Sequence, residues 1–195
     1  MNKFVRVTIL AAIAAGLLAS TFSIVGKAKD GNKPILIGDD CEPVTFNAAF
    51  PNVCSASGNT TFDKFIAQLT RNQVAPLWKF APGESTVPVG KTLSLGNIGG
   101  ETHTFTKVAE FGGGFIVPLN ALSGNPNPVP ECTTGAVLVP GVMLQPQPAG
   151  PANIFVESGE QEQGPTAGDA VLPAGQTVKF MCCIHPWMRT EMRVN

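Results

Sequence analysis

Histidine is scarce in this chain of 195 residues, which contains only His103 and His185. This scarcity excludes zinc catalysis by three histidines and the multi-histidine copper centres of oxidases and nitrite reductases. The sequence also lacks the Cys-x-x-Cys-His motif of haem attachment and the Cys-x-x-Cys motif of dithiol oxidoreductases. No Ser-His-Asp or paired-carboxylate arrangement stands out. We therefore expect a protein that is not an enzyme.

Long apolar runs are also missing, apart from one near the N terminus. There VTILAAIAAGLLAS follows the charged start MNKFVR, and this run of about fourteen residues is short for a membrane span. We interpret residues 1–28 as a signal peptide cleaved after Ala28, which places the protein in the periplasm or outside a bacterium. An uncleaved N-terminal anchor is the alternative, and only in that case do we expect a membrane contact.

A large excess of basic charge is absent as well. The full chain has a net charge of -1. Without Lys3, Arg6 and Lys27 of the predicted signal peptide it keeps 10 basic residues against 14 acidic ones, a net charge of -4. This mild acidity argues against nucleic acid as a partner.

Short β-like segments dominate the sequence after residue 75. Runs of strand length are separated by Gly, Pro and Asn, and these runs are TVPVGKTLSLGN, ETHTFTKV, NIFVES, AGQTVKFMC and TEMRV. Together with 21 Gly and 17 Pro, they predict an all-β protein with an antiparallel sandwich over residues 76–195. The Pro-rich stretch 118–153 is expected to form a long loop or an edge excursion.

One helix is predicted in residues 29–75, ahead of the sandwich. Apolar residues of TTFDKFIAQL recur on one helical face, at Phe62, Phe65, Ile66 and Leu69. Thr60 and Asp63 have the spacing of a capping box at the start of this helix. We interpret the segment as a short helical extension that covers an edge strand or faces a partner.

Residues that bind metals concentrate near the C terminus, in KFMCCIHPWMR, residues 179–189. The histidine count leaves one possible site, built from one cysteine, both histidines and a methionine. A trigonal His2Cys set with a weak axial Met is typical of mononuclear blue copper. Pro186 restricts the backbone of the segment and stiffens it.

The segment CIHPWMR resembles the C-terminal copper loop of cupredoxins, with the Cys-x-x-His-x-x-Met spacing of amicyanin-like members. The upstream GGETHTF is similar to their other ligand strand. The resemblance covers roughly residues 76–195 and implies a Greek-key β-sandwich that binds one type 1 copper ion. The ligands that it implies are His103, Cys182, His185 and Met188. Met192 and Met181 are the competing axial candidates, and we interpret both as packing residues.

One position departs from the family pattern. Thr104 follows His103 where many cupredoxins carry Asn. The hydrogen bond that usually ties the two ligand segments together therefore either comes from a hydroxyl group or is missing.

The two adjacent cysteines, Cys182 and Cys183, are expected to have different roles. Successive side chains of an extended segment point to opposite faces, so Cys182 and Cys183 cannot both face one metal, and only Cys182 matches the spacing of the copper loop. Export favours disulfides among the other four cysteines. Cys41 and Cys54 look like a local pair, which leaves Cys132 for Cys183. A buried free thiol at Cys183 is the alternative.

The implied function is the transfer of single electrons by Cu(I)/Cu(II) cycling. The ring edge of His185 is expected near the surface, in an apolar patch with Pro186, Trp187 and Phe111, and redox partners are expected to dock transiently near His185 and Trp187. A copper carrier or buffer without electron transfer is the main alternative. A catalytic subunit and a structural Cys2His2 zinc site are weaker alternatives.

Overall fold

The structure is a computed structural model that describes residues 33–139 and 142–195. The predicted signal peptide, residues 1–28, lies outside the described residues. The described residues belong to one compact unit.

Strands form most of the regular structure. They are β1 (Ile35–Gly38), β2 (Lys79–Ala81), β3 (Glu84–Val87), β4 (Thr92–Asn97), β5 (His103–Val108), β6 (Thr133–Val139), β7 (Met143–Pro146), β8 (Asn153–Val156), β9 (Gln161–Thr166), β10 (Thr177–Met181) and β11 (Arg189–Val194). The helices are α1 (Pro43–Ala49), α2 (Phe62–Asn72) and α3 (Val117–Leu122). Each segment with a β-like pattern contains at least one strand.

Two sheets enclose the main core. The first has the strand order β2-β1-β4-β9, and the second has the order β3-β11-β10-β5-β8. Strand β4 alternates buried and exposed residues along its first half, as expected of a strand with one face on the core. The core cluster contains side chains of both sheets, including Ile37 and Leu95 from the first and Phe105 and Phe180 from the second. The predicted all-β sandwich is confirmed, but it is not purely antiparallel, because β3 pairs in parallel with β11.

The first sheet includes a strand from residues 29–75. Strand β1 pairs in parallel with β4 and antiparallel with β2, so the chain ahead of residue 76 supplies an inner strand of this sheet. Helices α1 and α2 pack on the same core through Phe46, Phe65 and Leu69. The predicted helix is present as α2, and the unpredicted helix α1 forms as well. Pro43 starts α1, and Glu42 accepts hydrogen bonds from its first free N–H groups.

Helix α2 begins one residue later than predicted. Its N-cap is Thr61, whose side chain accepts a hydrogen bond from the Lys64 N–H. The predicted cap, Thr60, instead donates its hydroxyl to Asp40 at 2.7 Å and forms a bridge with Cys41. The helix ends at Asn72 and is capped by Gln73, which adopts a left-handed backbone conformation with φ 61°.

The Pro-rich stretch 118–153 is more regular than predicted. It contains most of α3, a 3-10 turn at Pro130–Cys132, and the β6-β7 hairpin. Two of its prolines, Pro118 and Pro130, occupy the first turns of these helices, where a missing N–H costs nothing. A disulfide between Cys132 and Cys183 ties the stretch to the end of β10.

No helix within the described ranges is both long enough and apolar enough to cross a membrane.

Phe46→Ala should show whether the N-terminal helices and the sandwich unfold together. Phe46 is 2% exposed, and its ring packs against Phe62, Phe65 and Trp78. We expect a single transition in urea, with the free energy of unfolding lowered by about 3–5 kcal/mol. Phe50→Ala is the control, because Phe50 is 51% exposed, and it should change stability by about 0.5 kcal/mol. Two separate transitions, or equal effects of both variants, would contradict the expectation.

Candidate metal centre

Two neighbouring strands bring the sequence-predicted ligands to one end of the second sheet. Strand β5 starts at His103, and its antiparallel partner β10 ends at Met181, so the chain leaves β10 beside the start of β5. The loop from Cys182 to Met188 then turns back into β11. The Cys182 N–H donates to the Met188 carbonyl at 3.0 Å and so joins the two ends of the loop. Within the loop, the Met188 N–H donates to the His185 carbonyl at 2.9 Å.

His103, Cys182 and His185 form one compact cluster. The Cys182 Sγ lies 3.7 Å from the His103 Nδ1 and 3.8 Å from the His185 Nδ1. One candidate ligand atom from each residue lies within 4.8 Å of the others. The three residues are 0%, 0% and 2% exposed. The structure therefore brings together three of the four predicted ligands.

Met188 is 1% exposed and belongs to the same core cluster as Cys182. Its role as the axial ligand stays a prediction. The competing Met192 lies within β11, and Met181 belongs to a separate core cluster with Cys183.

The disulfides follow the pairing expected from the sequence. Cys41 is bonded to Cys54, and Cys132 is bonded to Cys183. Among the described cysteines, only Cys182 is free. Cys182 and Cys183 belong to different core clusters, as the alternation of side chains along an extended segment requires.

Thr104 supplies the link between the two ligand segments. Its hydroxyl accepts a hydrogen bond of 2.7 Å from the Cys183 N–H, and its own N–H points at the Cys182 Sγ from 3.4 Å. Of the two possibilities left open by the sequence, the link through a hydroxyl group is therefore the correct one.

Two buried carboxylates face the outer nitrogens of the histidines. The His103 Nε2 lies 2.9 Å from an Asp39 oxygen, and the His185 Nε2 lies 3.6 Å from a Glu101 oxygen. Glu101 also accepts a hydrogen bond from the indole N–H of Trp78. Neither carboxylate is among the site residues predicted from the sequence. The spacing of Glu101, two residues before His103 in GGETHTF, was a usable signal, whereas nothing near Asp39 in the sequence indicates the contact.

These contacts set the charges of the cluster without a metal. Burial would raise the pKa of Cys182, but hydrogen bonds from both histidines outweigh it and hold this pKa well below its usual value. Burial would lower the pKa of His103, yet Asp39 and Cys182 raise it to about 10. Burial would raise the pKa of Asp39, but the hydrogen bond with His103 helps to lower it to about 2. Burial raises the pKa of Glu101. The two histidine contacts therefore favour the thiolate form of Cys182.

The ring edge of His185, which was expected near the surface, is itself covered by other side chains. His185 is 2% exposed, and its ring contacts Trp187 at 5.3 Å and Phe65 at 6.3 Å between centroids. Phe65 comes from α2, so a helix of the N-terminal segment covers the ring. Trp187 is only partly buried, whereas Phe111 packs near the Cys132–Cys183 disulfide and is not part of this cover.

The donor set fits a type 1 copper ion. A thiolate and two imidazole nitrogens around one point form the trigonal His2Cys arrangement, which is typical of blue copper sites. His103, Cys182 and His185 would hold the ion, and their outer contacts fix the orientation of both rings.

No family model matches the chain, and no curated protein matches it. Solved structures do match. A purple cupredoxin from Nitrosopumilus maritimus is 16% identical over 63% of this chain and 87% of its own, with a TM-score of 0.36. A reduced variant of amicyanin is 17% identical over 63% of this chain and 77% of its own, with a TM-score of 0.32.

A Cu-containing nitrite reductase from Thermus scotoductus SA-01 is 14% identical over 80% of this chain and 27% of its own, with a TM-score of 0.32. Two of these three structures are named as a cupredoxin and an amicyanin, in line with the resemblance expected from the sequence. At these identities and TM-scores, the likeness carries nothing about activity or partners.

Thr104→Val should test the link between the ligand segments. The substitution keeps the shape of the side chain but leaves the buried Cys183 N–H without its acceptor. We expect the free energy of unfolding to fall by about 1–3 kcal/mol in denaturant titrations. Thr104→Ser retains the hydroxyl and should lose clearly less. A larger loss in Thr104→Ser than in Thr104→Val would mean that packing of the methyl group, not the hydrogen bond, is what matters.

Proposed function

We propose that the protein is an exported mononuclear type 1 copper protein that carries single electrons between redox partners. The observation that supports this proposal is the buried cluster of His103, Cys182 and His185, with the Cys182 sulfur 3.7 and 3.8 Å from two imidazole nitrogens. Copper bound there would supply a one-electron Cu(I)/Cu(II) couple. Met188 is proposed as the weak axial ligand.

The protein holds this donor set rigidly. Thr104 joins the two ligand segments, the Cys182 N–H bonds to the Met188 carbonyl, and Pro186 restricts the loop between them. A rigid set of ligands suits electron transfer, because little has to move between the two oxidation states. The dense packing of buried side chains around the loop favours the same behaviour.

Burial distinguishes electron transfer from copper delivery. The three candidate ligands are at most 2% exposed, so a chelator or a delivery partner has no direct access to the metal position. This favours a retained copper ion over a carrier or buffer that exchanges copper. A catalytic role is disfavoured because both histidines of the chain lie in this one cluster, which leaves none for a second metal site.

Export is supported by the disulfides. Two disulfides in a domain of this size are typical of an oxidising compartment. With the predicted signal peptide at residues 1–28, the proposed location is the periplasm or the outside of a bacterium.

Redox partners are proposed to dock near Trp187. Its ring lies against His185 and is partly exposed, while His185 itself is covered. The indole N–H of Trp187 donates to the Ala75 carbonyl at 3.2 Å, which holds the ring in place. Weak and brief docking is expected of such a carrier.

Loading the purified protein with Cu(II) should test the proposed function. We expect an intense visible colour from charge transfer between the Cys182 thiolate and the ion. The colour should vanish with ascorbate, return with ferricyanide, and survive repeated cycles beside a Cu(I) chelator. The variant Cys182→Ser should bind Cu(II) without developing the colour. A colourless complex of the unmodified protein at full loading would contradict the trigonal site. Loss of copper to the chelator on reduction would favour the alternative function as a copper buffer.

Met188→Gln should test the axial position. We expect the colour to persist with a shifted spectrum and a lower reduction potential, because a harder oxygen donor stabilises Cu(II). Met192→Gln is the matched control, since Met192 is a buried methionine of β11. If only Met192→Gln moves the spectrum and potential, the axial assignment is wrong.

A further inference from the structure

Asp39 lies directly after β1 and reaches the outer nitrogen of a proposed copper ligand. Its Oδ2 is 2.9 Å from the His103 Nε2, and the side chains of both residues are 0% exposed. A histidine that binds a metal through Nδ1 keeps its proton on Nε2, so His103 then donates this hydrogen bond to Asp39.

Backbone groups hold the Asp39 carboxylate in place. Its Oδ1 accepts hydrogen bonds from the N–H groups of Cys41 and Gly100, at 3.1 and 2.9 Å. Its Oδ2 accepts one from the Glu101 N–H at 3.0 Å. A buried carboxylate with this many donors stays ionised and has a fixed position.

The double glycine before His103 makes room for this arrangement. A Cβ atom on Gly99 would lie 2.0 Å from the Asp39 Oδ2, and one on Gly100 would lie 2.5 Å from the Cys41 Sγ. Only residues without a side chain allow the carboxylate and the Cys41–Cys54 disulfide to approach so closely. The parallel pairing of β1 with β4 brings the two segments side by side.

We propose that Asp39 is a positioning residue of the copper centre, which fixes the His103 ring through Nε2 and places a buried negative charge one imidazole ring away from the metal. This rests on the proposed copper function. The N-terminal segment thereby becomes part of the metal centre. A fixed negative charge at this distance stabilises Cu(II) more than Cu(I), so it lowers the reduction potential and opposes the effect of a soft axial ligand.

Asp39→Asn and Asp40→Asn form a matched pair of variants. Both remove one negative charge from adjacent residues. Among the described residues, the Asp40 side chain bonds to Asn59 and Thr60, and neither histidine is one of its partners. The measurements are the reduction potential of the copper-loaded protein and the affinities for Cu(II) and Cu(I).

For Asp39→Asn we expect a higher reduction potential and a Cu(II) affinity weakened by roughly 10- to 100-fold, with a smaller loss for Cu(I). Asp40→Asn should leave the potential near that of the unmodified protein. An unchanged potential in Asp39→Asn, or an equal shift in both variants, would overturn the proposal, since Asp39 would then only anchor its loop.

A measurement on the unmodified protein decides the question even if Asp39→Asn fails to fold. In proton NMR of the Cu(I) form with ¹⁵N-labelled histidine, the His103 Nε2–H should resonate far downfield and exchange slowly with solvent. Absence of that signal in a protein that shows the expected colour as Cu(II) would overturn the role of Asp39 alone. A protein that never develops the colour would instead refute the proposed function, and with it the inference, before any variant is made.

Discussion

The antiparallel pairing of β5 with β10 is the constraint on which the candidate centre depends. It sets Thr106 opposite Met181, and the chain continues from there so that Thr104 bonds to Cys183 and points its N–H at the Cys182 sulfur. A shift of one residue in this pairing would turn Cys182 to the opposite face and replace it with Cys183. The Cys132–Cys183 disulfide opposes such a shift, because it fixes Cys183 on the side away from the cluster.

The N-terminal segment supplies contacts to the two histidines that the strands β5 and β10 do not provide. Buried imidazoles need partners for their outer nitrogens, and a sandwich built only from residues 76–195 would leave the His103 Nε2 without the carboxylate of Asp39. Helix α2 contributes Phe65 to the cover of His185, and Trp78 holds the Glu101 carboxylate that faces the same ring. Polar partners and apolar cover therefore come from parts of the chain far from the ligands.

The ligand cluster was predictable from the sequence because most of it is local. Cys182 and His185 are separated by a short loop, and with only one other histidine in the chain, His103 was the remaining choice. The disulfides followed from alternation and elimination. Asp39 was not predictable, because its contact with His103 spans 64 residues and depends on the β1-β4 pairing. Helix α1 was missed because its 7 residues are too few for a periodic pattern.

The parallel β1-β4 pair has a consequence for the timing of assembly. Asp39 lies near the start of the described chain and Cys182 near its end, so the cluster and its carboxylate meet only when the sandwich has closed over nearly its whole length. Folds with many such distant contacts form slowly, because chain entropy is lost before the contacts compensate for that loss. A growing or partly translocated chain therefore has the Cys182 sulfur, but it lacks the two oriented imidazoles whose contacts lower the pKa of this cysteine. The complete cluster of His103, Cys182 and His185 is therefore a property of the finished fold and not of the loop sequence alone.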